Sequence, residues 1–166
     1  MNTLVLYSAL KNRLSSIPNF PTISQGFMNY NLEKSAGIFL TDISPAYIKL
    51  SGKKNVGRNA RVQIILQGPA EDKTYFEMRK LCNKIENLAD TLQNTVLITE
   101  RMYYIEDDEI TYIDPESLTE ENKGIQVLIS NTSLSNGTIT LEKTSEGHPQ
   151  FSVTLYMKYY IGDNAV

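Results

Sequence analysis

The chain has 166 residues, of which 41% are hydrophobic and 21% charged, and its net charge is −3 at pH 7. This length and composition support one folded core and exclude a disordered chain. The longest apolar stretches, such as residues 62–66, are far shorter than the roughly 20 residues that a membrane span requires. One cysteine, Cys82, and one histidine, His148, exclude an internal disulfide and leave few ligands for zinc.

In chain order, the first predicted element is a helix over residues 4–17, whose apolar residues recur at three- and four-residue steps until Pro18 stops it. Its basic residues follow the apolar patch instead of preceding it, so we interpret the segment as part of an intracellular protein and not as a signal peptide. Short strands are predicted at residues 38–41 and 47–50, and a strand with alternating apolar residues at 61–66.

The clearest helix is predicted over residues 70–92. Pro69 suits the first turn of a helix. The apolar residues of the segment form one stripe: Tyr75, Met78, Leu81, Cys82, Ile85, Leu88, Ala89 and Leu92. Because the other face is polar, the helix is expected to lie on a sheet. Cys82 is therefore expected to be a core residue and not a nucleophile.

The remaining predicted elements are strands at residues 96–105, 125–129, 138–141 and 150–161. The last strand alternates apolar and polar residues, so one of its sides is expected to be buried. The order of elements predicts a single α+β domain over residues 1–166. Its largely antiparallel, mixed sheet carries two helices on one face, and an acidic loop or strand excursion occupies about residues 99–148.

A basic loop is predicted between two strands at residues 51–60, where glycines accompany polar and basic residues. Residues 49–61 contain five positive charges and no acid: Lys49, Lys53, Lys54, Arg58 and Arg61. This loop is a candidate contact for another subunit or an acidic partner. The alternatives are a solvated hairpin tip and a contact with DNA. Sequence-specific DNA recognition is not expected, because no recognition helix accompanies the loop.

Acidic residues are concentrated in residues 100–122, which hold nine of the 19 acids and a single base. Four are consecutive: Glu106, Asp107, Asp108 and Glu109. The run lacks the glycine and glutamate of a calcium-binding EF-hand loop. Mutual repulsion increases when carboxylates are buried, so the run is expected to be exposed. We interpret it as a solvated acidic rim and expect no metal, cofactor or catalytic site; adventitious cation binding and a catalytic role are the alternatives that stay open.

Three parts of the sequence occur in a recognisable order: the amphipathic N-terminal helix, then NARVQIILQGPAEDKTYFEMRKLCNKIENLADTL, and finally FSVTLYMKYYI. This order resembles the minor capsid and tail-terminator (tail-completion) proteins of long-tailed bacteriophages. The resemblance covers residues 1–98 and 149–161. Residues 99–148 depart from it, because they are longer and more acidic than the family leads one to expect.

The resemblance implies a structural virion protein without enzymatic activity or cofactor. It implies a homo-oligomeric ring, typically a hexamer, that caps the tail tube, ends its polymerisation and joins the tail to the head. The implied partners are the tail tube protein and the head–tail connector proteins, with DNA only as cargo in the lumen and no membrane. The implied location is the head-proximal end of the tail in the virion, after assembly in the host cytoplasm.

Two other functions stay open at the level of sequence. One is a head-completion or connector-adaptor protein of the same assembly. The other, of a different class, is a carboxylate- or metal-dependent hydrolase that would use the acidic run. In a ring, the basic loop of one subunit could contact the acidic segment of the next. Alternatively, the acids could line the channel and repel passing DNA.

Overall fold

The computed structural model describes residues 2–25, 34–50, 53–99, 103–106, 109–112, 114, 116, 119–120, 124–134, 140–143 and 147–161. Within them lie two helices and nine strands: α1 (Asn2–Ser15), β1 (Thr22–Gln25), β2 (Ser35–Leu50), β3 (Lys53–Gln67), α2 (Asp72–Leu92), β4 (Thr95–Thr99), β5 (Tyr103–Glu106), β6 (Glu109–Tyr112), β7 (Ile125–Leu134), β8 (Thr140–Lys143) and β9 (Pro149–Ile161). None of the helices in this part of the chain is long and apolar enough to cross a membrane.

Seven strands form one curled sheet, in the order β1-β2-β3-β9-β7-β4, with β8 also paired to β9. The pair β1–β2 is parallel. The other pairs described in this sheet are antiparallel. Strands β5 and β6 form a separate two-stranded sheet. The predicted α+β class, with a mixed sheet and two helices, is confirmed.

The core lies on one face of this sheet, because one alternating set of residues in each central strand is buried. In β3 and β9 the set consists of Ala60, Val62, Ile64, Leu66, Phe151, Val153, Leu155, Met157 and Tyr159. These side chains belong to the same apolar cluster as the buried residues of both helices. Both helices therefore cover the same face. The predicted buried side of the last strand is confirmed.

Strand β2 is longer than predicted, since one strand from Ser35 to Leu50 replaces the two expected short strands. The register shifts between Asp42 and Ser44, which marks a β-bulge. Such an irregularity allows a strand to accommodate a proline, here Pro45, that would otherwise break the ladder. Next to the bulge, the amide of Asn59 donates a 2.9 Å hydrogen bond to the Ser44 hydroxyl.

Helix α2 agrees with its predicted position and end, but its buried stripe differs at the first turn. Thr74 is buried there, with 1% exposure, whereas Tyr75, predicted to lie on the stripe, is 48% exposed. Thr74 packs against the strand-to-helix connection at Gly68, whose backbone N–H donates to the carbonyl of Pro149 at 3.3 Å. The close connection leaves room for a small side chain and turns the tyrosine outward.

The region after α2 differs most from the prediction. The predicted strand over residues 96–105 is instead two strands in different sheets, β4 and β5. Strand β7 extends beyond its predicted end, with a register shift between Ile129 and Asn131. Strands β1 and β6 were not predicted at all. Each has four residues, and β1 contains a single apolar residue, Ile23.

Candidate functional site

The predicted basic loop is in fact part of a β-hairpin. Strand β3 already begins at Lys53, and Lys49 pairs with Lys54 in the β2–β3 ladder. The prediction of a flexible loop at residues 51–60 was therefore wrong for residues 53–60. Gly57, which suggested a loop, is buried in the strand opposite Ala46. A glycine is tolerated within a strand where backbones approach closely, so its presence did not require a loop.

The two arginines of this basic hairpin do not form one patch. Arg58 and Arg61 are three positions apart in β3, so they lie on opposite faces of the strand. Arg58 is half-buried and lies opposite Tyr159, on the side that carries the helices. Arg61 is exposed and lies opposite Tyr156, on the other side. A single partner surface cannot contact both arginines from one side.

Two residues of the predicted acidic rim, Glu106 and Glu109, lie in a second hairpin. Glu106 is the last residue of β5, Glu109 is the first of β6, and the two residues pair across the ladder. Asp107 and Asp108, which connect them in sequence, lie outside the described residues. Glu109 is exposed, as expected. We call the paired strands β5 and β6 the acidic hairpin.

Cys82 is completely buried in the core, which confirms the prediction that it is a core residue. Burial raises the pKa of its thiol to about 11, so the side chain is an uncharged thiol at neutral pH. Within the described ranges, no three His, Cys, Asp or Glu side chains come together as a metal-binding group.

An uncovered apolar surface lies on the sheet face opposite the helices. Val96 and Ile98 of strand β4 are 47% and 66% exposed. Val96 lies beside Leu128 of β7, which in turn lies beside Tyr160 of β9. Tyr156 of β9 is also exposed on this face. We call this group the outer-face patch. Among the described strands, β4 pairs with β7 alone, so the patch ends at an open edge.

Sequence reasoning missed this patch, although a signal for it was present. Residues 96–98 are three consecutive apolar residues, so side chains on both faces of the strand are apolar. Leu97 enters the core, while its two neighbours face outward. A strand with one solvated face would instead alternate apolar and polar residues.

A positively charged groove lies between helix α2 and the α1–β1 connection. Its two halves have volumes of about 380 and 350 Å³, and they share Pro18 and Lys84. The cations along it are Lys34, Lys80 and Lys84 in the first half and Arg13 with Lys84 in the second. We call it the lysine groove.

Among the described residues that line this groove, the acid is Glu77, and it is already engaged. Lys34 donates a 3.2 Å hydrogen bond to one carboxylate oxygen, and the ammonium of Lys73 lies 3.6 Å from the other. The hydrogen bond from Lys34 is the main reason that the pKa of Glu77 lies below its usual value. The described residues that line the groove therefore carry a positive surplus. Sequence reasoning missed it because its cations come from three separate segments.

The fold is a single α+β domain, and its described surface includes the outer-face patch and the lysine groove. No protein-family model matches the chain, and no curated protein is significantly similar to it.

Proposed function

We propose that the protein is a structural subunit that assembles with copies of itself into a ring, and that this ring acts as a tail terminator of a long-tailed bacteriophage. The observation that supports self-assembly is the outer-face patch at the open edge of strand β4. The specific assignment to a tail is supported by the resemblance of residues 1–98 and 149–161 to that family. In this proposal, the ring caps the tail tube and joins the tail to the head connector.

The outer-face patch supports a stable contact on energetic grounds. Removing an exposed aliphatic side chain from water stabilises an interface by about 1.5–3 kcal/mol when burial is complete. Ile98, at 66% exposure, and Val96, at 47%, retain much of that contribution for a partner. An edge strand also presents unpaired backbone donors and acceptors that another chain can satisfy. A second copy of the chain is the partner that we assign to this surface.

Electron microscopy of the purified protein, together with its mass in solution, tests this proposal. We expect rings with six-fold class averages and a mass near six times that of the 18.8-kDa chain. A protein that stays monomeric at all concentrations would contradict self-assembly. Rings of another order would contradict the hexamer alone.

A matched pair of variants tests the surface. Ile98→Asp places a charge in the outer-face patch, and we expect it to shift the protein toward monomers without loss of helical circular dichroism. Asn83→Asp adds the same charge at an exposed position of α2, outside the lysine groove, and is expected to assemble normally. Equal assembly of both variants would show that the patch is not the interface.

A further inference from the structure

The lysine groove contains cations that its own helix does not neutralise. Lys84 lies where the two halves of the groove meet and is half-buried. The residues three and four positions away on α2, which are its neighbours on the helix surface, are Lys80, Leu81, Asn87 and Leu88. None is acidic, and one adds a like charge. An anionic group from elsewhere would complete this site.

The spacing of the two lysines suits the paired glutamates of the acidic hairpin. Four residues of an α-helix rise by about 6 Å, which separates Lys80 from Lys84 along the axis. Residues directly opposite each other in an antiparallel pair have Cβ atoms about 4.5–5.5 Å apart. Glu106 and Glu109 are such a pair, so the hairpin presents two acidic residues at a comparable spacing.

The acidic hairpin has features that call for a cationic partner. Glu106 and Glu109 are direct cross-strand neighbours, and like charges in that position destabilise a hairpin. A two-stranded hairpin without further support is only marginally stable in water. Strands β5 and β6 pair with none of the other described strands. A cationic surface would relieve the repulsion and support the hairpin.

We propose that the lysine groove of one subunit binds the acidic hairpin of an adjacent copy of the same chain. We assign the contact to two copies of the chain; no described residue of the hairpin lines the groove. This contact rests on the proposed self-assembly, and its two surfaces are the lysine groove and the acidic hairpin. It also replaces the basic β2–β3 hairpin as the partner of the acids, since the two arginines of that hairpin lie on opposite faces of β3.

Direct binding tests the contact without requiring a ring. The probe is a labelled synthetic peptide of residues 103–112, titrated with the full chain and followed by fluorescence anisotropy. We expect the double variant Lys80→Glu and Lys84→Glu to bind the peptide at least about tenfold more weakly than the unmodified chain, because two charge-assisted contacts become repulsive. Replacing both glutamates of the peptide by glutamine should weaken binding as well.

The matched control is the double variant Lys11→Glu and Arg79→Glu, which changes the net charge equally at exposed helix positions outside the groove. We expect it to bind the peptide as the unmodified chain does. Equal weakening in both variants would reveal a general charge effect and overturn the proposal. Absence of peptide binding, or a groove that binds a DNA duplex in its place, would overturn it too.

Charge exchange within the full chain gives the decisive test. One variant carries Lys80→Glu and Lys84→Glu, and the other carries Glu106→Lys and Glu109→Lys. Each should fail to self-assemble, whereas their mixture should assemble, because each groove then meets a hairpin of opposite charge. If the unmodified chain assembles and these variants assemble equally well alone, the groove contact is wrong and the proposed function stands. If the unmodified chain stays monomeric, the proposed function fails and the peptide titration decides the contact.

Discussion

Replacing Gly68 by alanine is expected to destabilise the connection between β3 and α2. A Cβ at this position would lie 2.5 Å from the Thr74 methyl carbon and 3.1 Å from the terminal methyl of Met78. Favourable carbon–carbon contacts are at about 3.5–4.0 Å, so both neighbours must move. The flexible Met78 side chain can adjust. Thr74 is 1% exposed and branched at Cβ, so its methyl group cannot turn away freely.

The expected magnitude combines two opposing effects. Overpacking of a filled core costs about 1–3 kcal/mol. Alanine also reduces the conformational freedom of the unfolded chain, which stabilises by about 0.4–1 kcal/mol where the backbone is compatible. The expected net loss for Gly68→Ala is about 1–2 kcal/mol. For a domain of this size, each kcal/mol lowers the melting temperature by roughly 2–4 °C.

A double-mutant cycle with Thr74→Ser isolates the contact. Serine keeps the hydroxyl but lacks the methyl group that meets the new Cβ, and losing that buried methyl costs about 1 kcal/mol by itself. In the serine background, Gly68→Ala should be neutral or slightly stabilising. The measurement is urea unfolding followed by circular dichroism at one fixed protein concentration. If the two changes add to within about 0.5 kcal/mol, the steric argument is refuted.

Two further predictions concern titrating groups. Because the Cys82 thiol has a folded pKa of about 11 and an unfolded pKa of about 8.5, its contribution to stability is complete below pH 8.5 and is lost as the pH rises toward 11. In this pH range, the free energy of unfolding of the unmodified protein, measured in urea, should fall by up to about 1.4 kcal/mol per pH unit more than that of Cys82→Ala. If the free energies of unfolding of both proteins fall equally with pH, the argument is contradicted. The pKa of Glu77 is lowered in the folded state, so this residue stabilises the fold above its unfolded pKa, and the stabilisation is lost as the pH falls through its folded pKa. Lys34→Met should raise the pKa of Glu77, as measured by NMR titration of its carboxyl group. Lys73→Met should raise it less, and the reverse order would show that the hydrogen bond from Lys34 is not the main cause.

The helices and the closing strand could be predicted because their patterns are long. Helix α2 combines a 21-residue amphipathic segment with a proline just before its first turn, and each signal indicates the same element. Strand β9 alternates over 13 residues, so its buried side follows directly from the sequence. The pattern could not predict that Thr74 is buried in the first turn in place of Tyr75, because the space beside Gly68 decides which side chain fits.

The long hairpin was misread because Pro45 and Gly57 are usual signals of loops. Both residues lie within paired strands here: Pro45 is next to the bulge in β2, and Gly57 is buried in β3. Tertiary pairing with β9 holds β3 in its strand conformation from Arg58 to Gln67. Local propensity could not reveal this, since the stabilising partner is about 90 residues away in the sequence.

The charges of the candidate surfaces could be counted from the sequence, but their arrangement could not. The acidic segment was evident as a run, whereas its division into a hairpin depends on the pairing of Glu106 with Glu109. The lysine groove joins Arg13, Lys34 and the two lysines of α2 only after the chain has folded. The sequence therefore predicted a contact between opposite charges, but it could not show that Arg58 and Arg61 lie on opposite faces of β3.

Complementary surfaces on one chain allow two kinds of closed assembly. In a two-fold dimer, each subunit gives its acidic hairpin to the groove of the other. In a ring, each subunit gives its hairpin to the next neighbour, and the contact repeats until the circle closes. The mixture of charge-exchanged variants permits only alternating assemblies, so it allows two or six subunits and forbids an odd number. An alternating hexamer would support both proposals together, whereas an alternating dimer would support the groove contact and contradict the ring.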